Sequence, residues 1–328
     1  LKIMTTYKEI SGKYVRSVSS DPPAALGTGE IWYNTSSNTF KTVGEVFSWS
    51  SGANLPGVRW NTSGAGTQTA GLVFGGSTGP SLGTFLNTTF EYNGSSWTSS
   101  PTTPISSINM FSAGTQTTAI GGGGLASNGS QSTSAFTFNG SSWTGITNTP
   151  YDSKGAGGAG TSTAALIYGS DVGPSDNKAT RSWNGSSWSS EGNLSDSFAN
   201  GASGGPTENS AFAAGAPVPT TSTRFEIYNG SAWSSGPSMN TAVKNNRGFG
   251  SSADCLSIGG YNRIVGVERF DGSSWAVADS MSTGRKQFAS ANNNASGVSN
   301  GWVGGGADGD DSVEEFSGVA TVQTVSSS

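Results

Sequence analysis

Apolar positions in this chain come in short runs, four or five residues long, that stop at glycine: GLVFGG at Gly75, AIGGGG at Gly123, ALIYGS at Gly169, AFAAGA at Gly215, LSIGG at Gly259 and GWVGGG at Gly304. Upstream of the first three sits a shared small-residue phrase: GAGTQTAG from Gly64, SAGTQTTA from Ser112 and GAGTSTAA from Gly158. Downstream comes an alternating segment such as TTFEY before Asn93, and then a run opening on tryptophan. Short apolar or alternating runs bounded by Gly, Asn and Ser are strand signals, so each unit predicts four strands.

The tryptophan mark gives the period. NGSSW ends at Trp97, Trp143 and Trp188, NGSAW at Trp233 and DGSSW at Trp275, at steps of 46, 45, 45 and 42 residues. A four-stranded repeat of about 40 to 50 residues is a propeller blade, whereas a β-helix rung is far shorter. Asn93, Asn139, Asn184 and Asn229 each precede glycine and predict two-residue type I′ hairpins between the third and fourth strands, with positive φ at both residues. Six copies of the glycine mark predict six blades.

A ring must join its first blade to its last, and the chain carries a spare tryptophan segment, VFSWSS around Trp49, ahead of the first complete unit. Two closures are open. Either the Trp49 strand is the fourth strand of the blade holding Gly304 and Phe316, with Val319 to Val325 displaced to another edge, or Val319 to Val325 is that blade's own outer strand. The repeated indoles are expected to wedge between neighbouring blades, each fully buried one contributing about 2 to 3 kcal/mol.

The glycine doublet Gly75-Gly76, the aromatic Tyr92 and then Trp97 resemble the blade of the kelch family. The resemblance runs over residues 49–328, although the doublet decays to Gly169-Ser170 and Gly215-Ala216, and Thr321 stands where the last tryptophan is expected. The wording AGTQTAG, FGG and EYNGSSWTS also resembles kelch-like repeats of marine bacteriophage structural proteins, and GEIWYNTSSNTFKTV from Gly29 to Val43 resembles a hairpin of phage tail and fibre proteins. The fold expected is all-β: a six-bladed kelch-like β-propeller over 49–328 behind a short β-rich attachment segment over 1–48. The resemblance implies a non-catalytic virion structural protein, a tail, fibre or decoration component assembled in the host cytoplasm. Its partners would be other virion proteins and a host-surface glycan or receptor, with oligomerisation through particle symmetry.

Composition agrees with a folded, turn-rich protein. Only 33% of residues are hydrophobic and 11% charged, but the net charge is just -5 and aromatics reach 10%, which separates the chain from disordered sequences. Without a basic stripe nucleic acid is not expected as a partner, and no apolar run is long enough to span a membrane by a helix. The N-terminus has no signal-peptide core, so synthesis as a soluble intracellular protein is expected.

The chemistry looked for is sparse. With no histidine, imidazole-based hydrolase triads and the copper centre of kelch-fold galactose oxidases are excluded. No arginine triad stands out, no cofactor is expected, and Cys255 sits in the small-residue column of Gly71, Ala119, Ala165 and Ala211, a buried filler and not a nucleophile. DGDDSVEE from Asp308 to Glu315 lacks calcium-loop spacing and is read as a solvated hairpin tip. The Asn-Gly-Ser phrases match glycosylation acceptors but are explained by turn chemistry. An alternative function is a carbohydrate-binding propeller, with Trp60, Tyr151 and Tyr261 as candidate surface-binding residues; a glycosidase or lyase remains because carboxylates from separate loops can converge in space.

Overall fold

The strands fall into six sheets around one axis. The computed structural model describes residues 15–24, 30–79, 83–173, 177–215, 220–291, 298–306 and 310–325. Blade one comprises Ser63–Thr67, Ala70–Phe74, Thr89–Tyr92 and Trp97–Ser100, and blade two Phe111–Gly114, Ala119–Gly122, Ala135–Phe138 and Trp143–Ile146. Gly157–Gly160, Ala165–Tyr168, Thr180–Trp183 and Trp188–Ser190 form blade three, and Ala202–Gly204, Phe212–Ala214, Phe225–Tyr228 and Trp233–Ser235 form blade four. Blade five is Gly250–Ser251, Asp254–Ile258, Val267–Phe270 and Trp275–Ala278. The chain is thus a six-bladed β-propeller, as expected.

Blade six settles the closure. Its strands are Ala289–Ser290, Asn300–Gly304, Val313–Thr324 and, from the other end of the chain, Thr39–Gly52. Trp49 is therefore in the outer strand, and its ring packs 5.0 Å from Phe316. The tail is not displaced to another edge: Val319 to Thr324 simply continues the third strand. Gly318–Ser328 groups with Leu1–Ser48 in one compact unit and Trp49–Ser317 forms the other. In the smaller unit Ile31–Asn34 and Thr39 onward make the expected hairpin, and Arg16–Val18 adds a parallel strand.

The turns between third and fourth strands differ from expectation. Tyr92 pairs directly with Trp97, leaving a four-residue loop, and only Gly94 has positive φ (89°). Asn93 is instead an acceptor: its Oδ1 takes the backbone N–H groups of Ser95 at 3.0 Å and Ser96 at 2.9 Å. The same pair of bonds recurs at Asn139, Asn184, Asn229 and Asp271. With four residues to place, the side-chain oxygen acts as an Asx-turn cap and the glycine alone takes the left-handed conformation.

The core lies between blades. One cluster joins Phe111, Ile120 and Ala135 of blade two to Ala165, Ile167 and Trp183 of blade three, and others join one and two, three and four, four and five, and six and one. Backbone bonds knit the same seams: the N–H groups of Gly76, Ser170 and Gly260 donate to the carbonyls of Ser107, Phe198 and Arg285 at the entry to the next blade. Gly306 donates to Arg59 at 2.8 Å, carrying the seam from blade six to blade one.

Candidate functional site

The six indoles each reach from an outer strand toward the preceding blade. Trp97 meets Trp302 edge-on at 5.3 Å, Trp143 packs 4.9 Å from Phe74, Trp188 meets Phe111 and Trp233 meets Tyr168. Trp275 meets Phe225 edge-on at 4.9 Å, and Trp49 Nε1 donates to the Asp279 carbonyl after blade five. The wedging is as expected but the depth is not: Trp275 is buried and the other five are only partly covered. An outer strand has no neighbour beyond it, so one indole face stays near solvent. Within the propeller the fully buried indoles are Trp60 and Trp302, and Trp32 is fully buried in the smaller unit.

The glycine marks are structural. Gly75, Gly123, Gly169, Gly215 and Gly259 have φ between 59° and 98°, and each N–H returns to a carbonyl at the start of the third strand. In blade six that place belongs to Gly305, whose N–H meets the Ser312 carbonyl; Gly304 is one residue early, the last residue of its strand, paired with Val313. Cys255 is buried opposite Phe270 in the column of Gly71, Ala119 and Ala165, and burial raises its thiol well above the usual value.

In the Asp308 to Glu315 segment, Asp308 and Gly309 lie outside the described residues. The rest is not a solvated tip. Glu314 is 3% exposed and accepts from Ser282 and Thr283, while Glu315 accepts from the Tyr92 hydroxyl and Gln68. Glu226, Glu268 and Glu314 occupy one buried third-strand column and hold the linkers entering blades four, five and six. That column is readable two residues before Tyr228, Phe270 and Phe316, and composition alone hides it. Among the described residues, no group of three or more His, Cys, Asp or Glu side chains could hold a metal ion.

Of the three candidate binding aromatics, Trp60 and Tyr151 are buried, and Tyr151 donates its hydroxyl to the Gly169 carbonyl. Their flat rings fill seams between blades, so neither offers a surface. Tyr261 is 46% exposed, and its backbone N–H is fixed to the Lys244 carbonyl at 2.8 Å. The Lys244 ammonium lies 4.2 Å from the Tyr261 ring centre and that of Lys286 5.8 Å, with Lys286 also 5.7 Å from Trp60. In a chain of net charge -5, this gathers two cations around the exposed Tyr261 ring, with the Lys244 side chain itself largely buried beneath it.

These residues share one level of the propeller. Lys244, Lys286 and Trp60 immediately precede Asn245, Gln287 and Asn61, which with Asn109, Gly155 and Asn200 form a hoop at the start of the inner strands. All six have positive φ between 50° and 70°. The N–H groups of Asn61, Asn109, Gly155, Asn200 and Gln287 donate to the carbonyls of Gln287, Asn61, Asn109, Gly155 and Asn245, at 2.8 to 3.2 Å. Aligning the residues just before this level (Trp60, Ile108, Lys154, Ala199, Lys244, Lys286) would have exposed the lysines in the sequence.

A separate pocket of about 300 Å³ opens between blades three and four, lined by Trp183, Asn184, Glu191, Glu208, Asn209 and Tyr228 among others. Glu191 accepts from Ser182 at 2.6 Å. Burial, and then the charges of Glu191 and Glu208, push the Tyr228 hydroxyl up to about 12, so it stays a proton donor at neutral pH. The volume is at the small end for ligand sites and suits a single sugar ring. No protein-family model and no curated protein matches the sequence of this six-bladed β-propeller.

Proposed function

We propose that the chain is a non-catalytic binding component of a bacteriophage particle, with residues 1–48 serving attachment and the propeller holding an acidic host-surface glycan or a neighbouring subunit. The virion part of this reading is supported by the likeness of AGTQTAG, EYNGSSWTS and the Gly29 to Val43 segment to phage repeats. The binding part is carried by one observation, the exposed Tyr261 ring with the Lys244 and Lys286 ammoniums at 4.2 and 5.8 Å. An aromatic face accepts the apolar side of a sugar, and adjacent ammoniums suit a carboxylate or sulfate on it.

A glycan array probed with the whole chain tests this. Acidic glycans should bind, and Tyr261→Ala or Lys286→Ala should weaken that binding about tenfold while leaving the thermal midpoint unchanged. Binding that survives both substitutions removes the site from consideration, and co-purification with capsid or tail proteins tests the particle assignment separately.

A second reading, a glycosidase, is favoured by the two carboxylates that line the pocket between blades three and four. Turnover of any polysaccharide that is abolished by Glu191→Gln would put this reading first.

A further inference from the structure

Inside the hoop, inner-strand residues from all six blades line a small axial cavity of about 30 Å³. That is room for one or two water-sized bodies and nothing larger. Among its walls are Arg247 of blade five, Phe288 and Ser290 of blade six, and Asn200 of blade four.

Arg247 is the arginine of this wall; half-buried Arg181, elsewhere, likewise has no carboxylate among the described residues, bonding the Thr180 carbonyl and lying 5.6 Å from the Tyr151 ring. Arg285 is fully buried between Asp310 at 3.6 Å and Glu314 at 3.4 Å, Arg269 pairs with Asp254 at 2.8 Å, and Arg224 pairs with Glu226. Arg59 lacks a carboxylate but makes three bonds, to Gly75, the Thr88 carbonyl and the Thr88 hydroxyl, and lies over the Phe90 ring. Arg247 has only two carbonyl acceptors, Phe288 at 3.2 Å and its own neighbour Asn246 at 3.2 Å, and no carboxylate among the described residues. Burial pulls its guanidinium down to about 10, which leaves it cationic at neutral pH. A guanidinium has five N–H donors, so Arg247, which is half-buried, keeps donors beyond these two bonds open to the cavity.

The remaining wall does not neutralise this charge. The hydroxyls of Ser63, Ser112 and Ser290 give their hydrogens to the carbonyls of Met110, Gly64 and Gly248. Asn200 is 4% exposed and its Oδ1 has no partner. A half-turn of that carboxamide puts an NH₂ donor in its place. A half-buried cation with spare donors and no carboxylate beside it offers an anion charge-assisted hydrogen bonds.

From this geometry we propose that the axial cavity is a binding site for one small inorganic anion of the halide class, held by the Arg247 guanidinium with the Asn200 amide turned toward it. It ties blades four, five and six together across the axis, and it stands independently of any glycan bound at Tyr261. A cavity of this size favours a monatomic anion over sulfate, phosphate or a carboxylated sugar.

Crystals of the whole chain soaked in bromide should show an anomalous peak within hydrogen-bonding reach of Arg247. In solution the thermal midpoint should rise by a few degrees in chloride over gluconate, which is too large to enter, at matched ionic strength. Arg247→Met should abolish that difference, and Asn200→Ala should reduce it if Arg247→Met does not fold. An empty cavity in bromide, equal midpoints in the two salts, or a chloride response that persists in Arg247→Met overturns the proposal.

Discussion

Asp271 stands where four other blades carry asparagine, and the substitution is readable from what the side chain does. Each of these residues uses one oxygen to accept the next turn's backbone N–H groups, and a carboxylate does so as well as an amide. The bonds from Ser274 N–H, then from the Ser273 side chain and N–H, hold the Asp271 carboxyl down at about 2. A depressed carboxyl stabilises the fold above its ordinary range and loses that contribution as pH falls toward the folded value. Asp271→Asn should therefore match the parent protein in urea midpoint at neutral pH and hold up better between about pH 4 and pH 2; parallel curves over that window refute it. The sequence located these turns correctly but mis-stated their conformation. An Asn-Gly pair signals two different turns, and only the register of Tyr92 against Trp97 decides between them.

On the scale of single strands, what matters is which one is outermost. The order of segments and their period were legible, since apolar runs, glycine stops and tryptophans repeat in phase, but depth was not. An indole in an inner or second strand is enclosed by two blades, as Trp302 is, whereas Trp97 is covered by Tyr92, Trp302 and the Ala53 carbonyl on one side alone. Trp97→Ala should cost about 2 to 3 kcal/mol, below the 3 to 5 typical of a fully enclosed aromatic, as measured by urea unfolding. A loss above 4 kcal/mol would mean the outer strand detaches with it. The lysines beside Tyr261 escaped notice for a related reason: they lie in the irregular approach to the inner strand, where no apolar rhythm marks the column.

For the molecule as a whole, blade six is assembled from both ends of the chain, and the ring depends on it. Thr39–Gly52 covers Phe316 and Val313, which are 0% and 1% exposed. A chain begun at Thr39 should keep the propeller's stability, and one begun at Ala53 should lose roughly 3 to 6 kcal/mol from uncovering those two side chains. Equal melting of the two would show that the third strand suffices. The sequence could pose this closure as a choice between two strands and no more, because strand pairing between residues so distant leaves no local trace. The hoop at the inner-strand entrance carries a last implication. A helix stacks its peptide dipoles in a line and so acquires poles at its ends. Here five donor-acceptor pairs run tip to tail around most of a circle, from Asn245 round to Asn200, and vectors laid so largely cancel. The hoop's backbone thus contributes little net sign to the field at the propeller's axis, and what charge is drawn there is left mainly to side chains such as Arg247, Lys244 and Lys286.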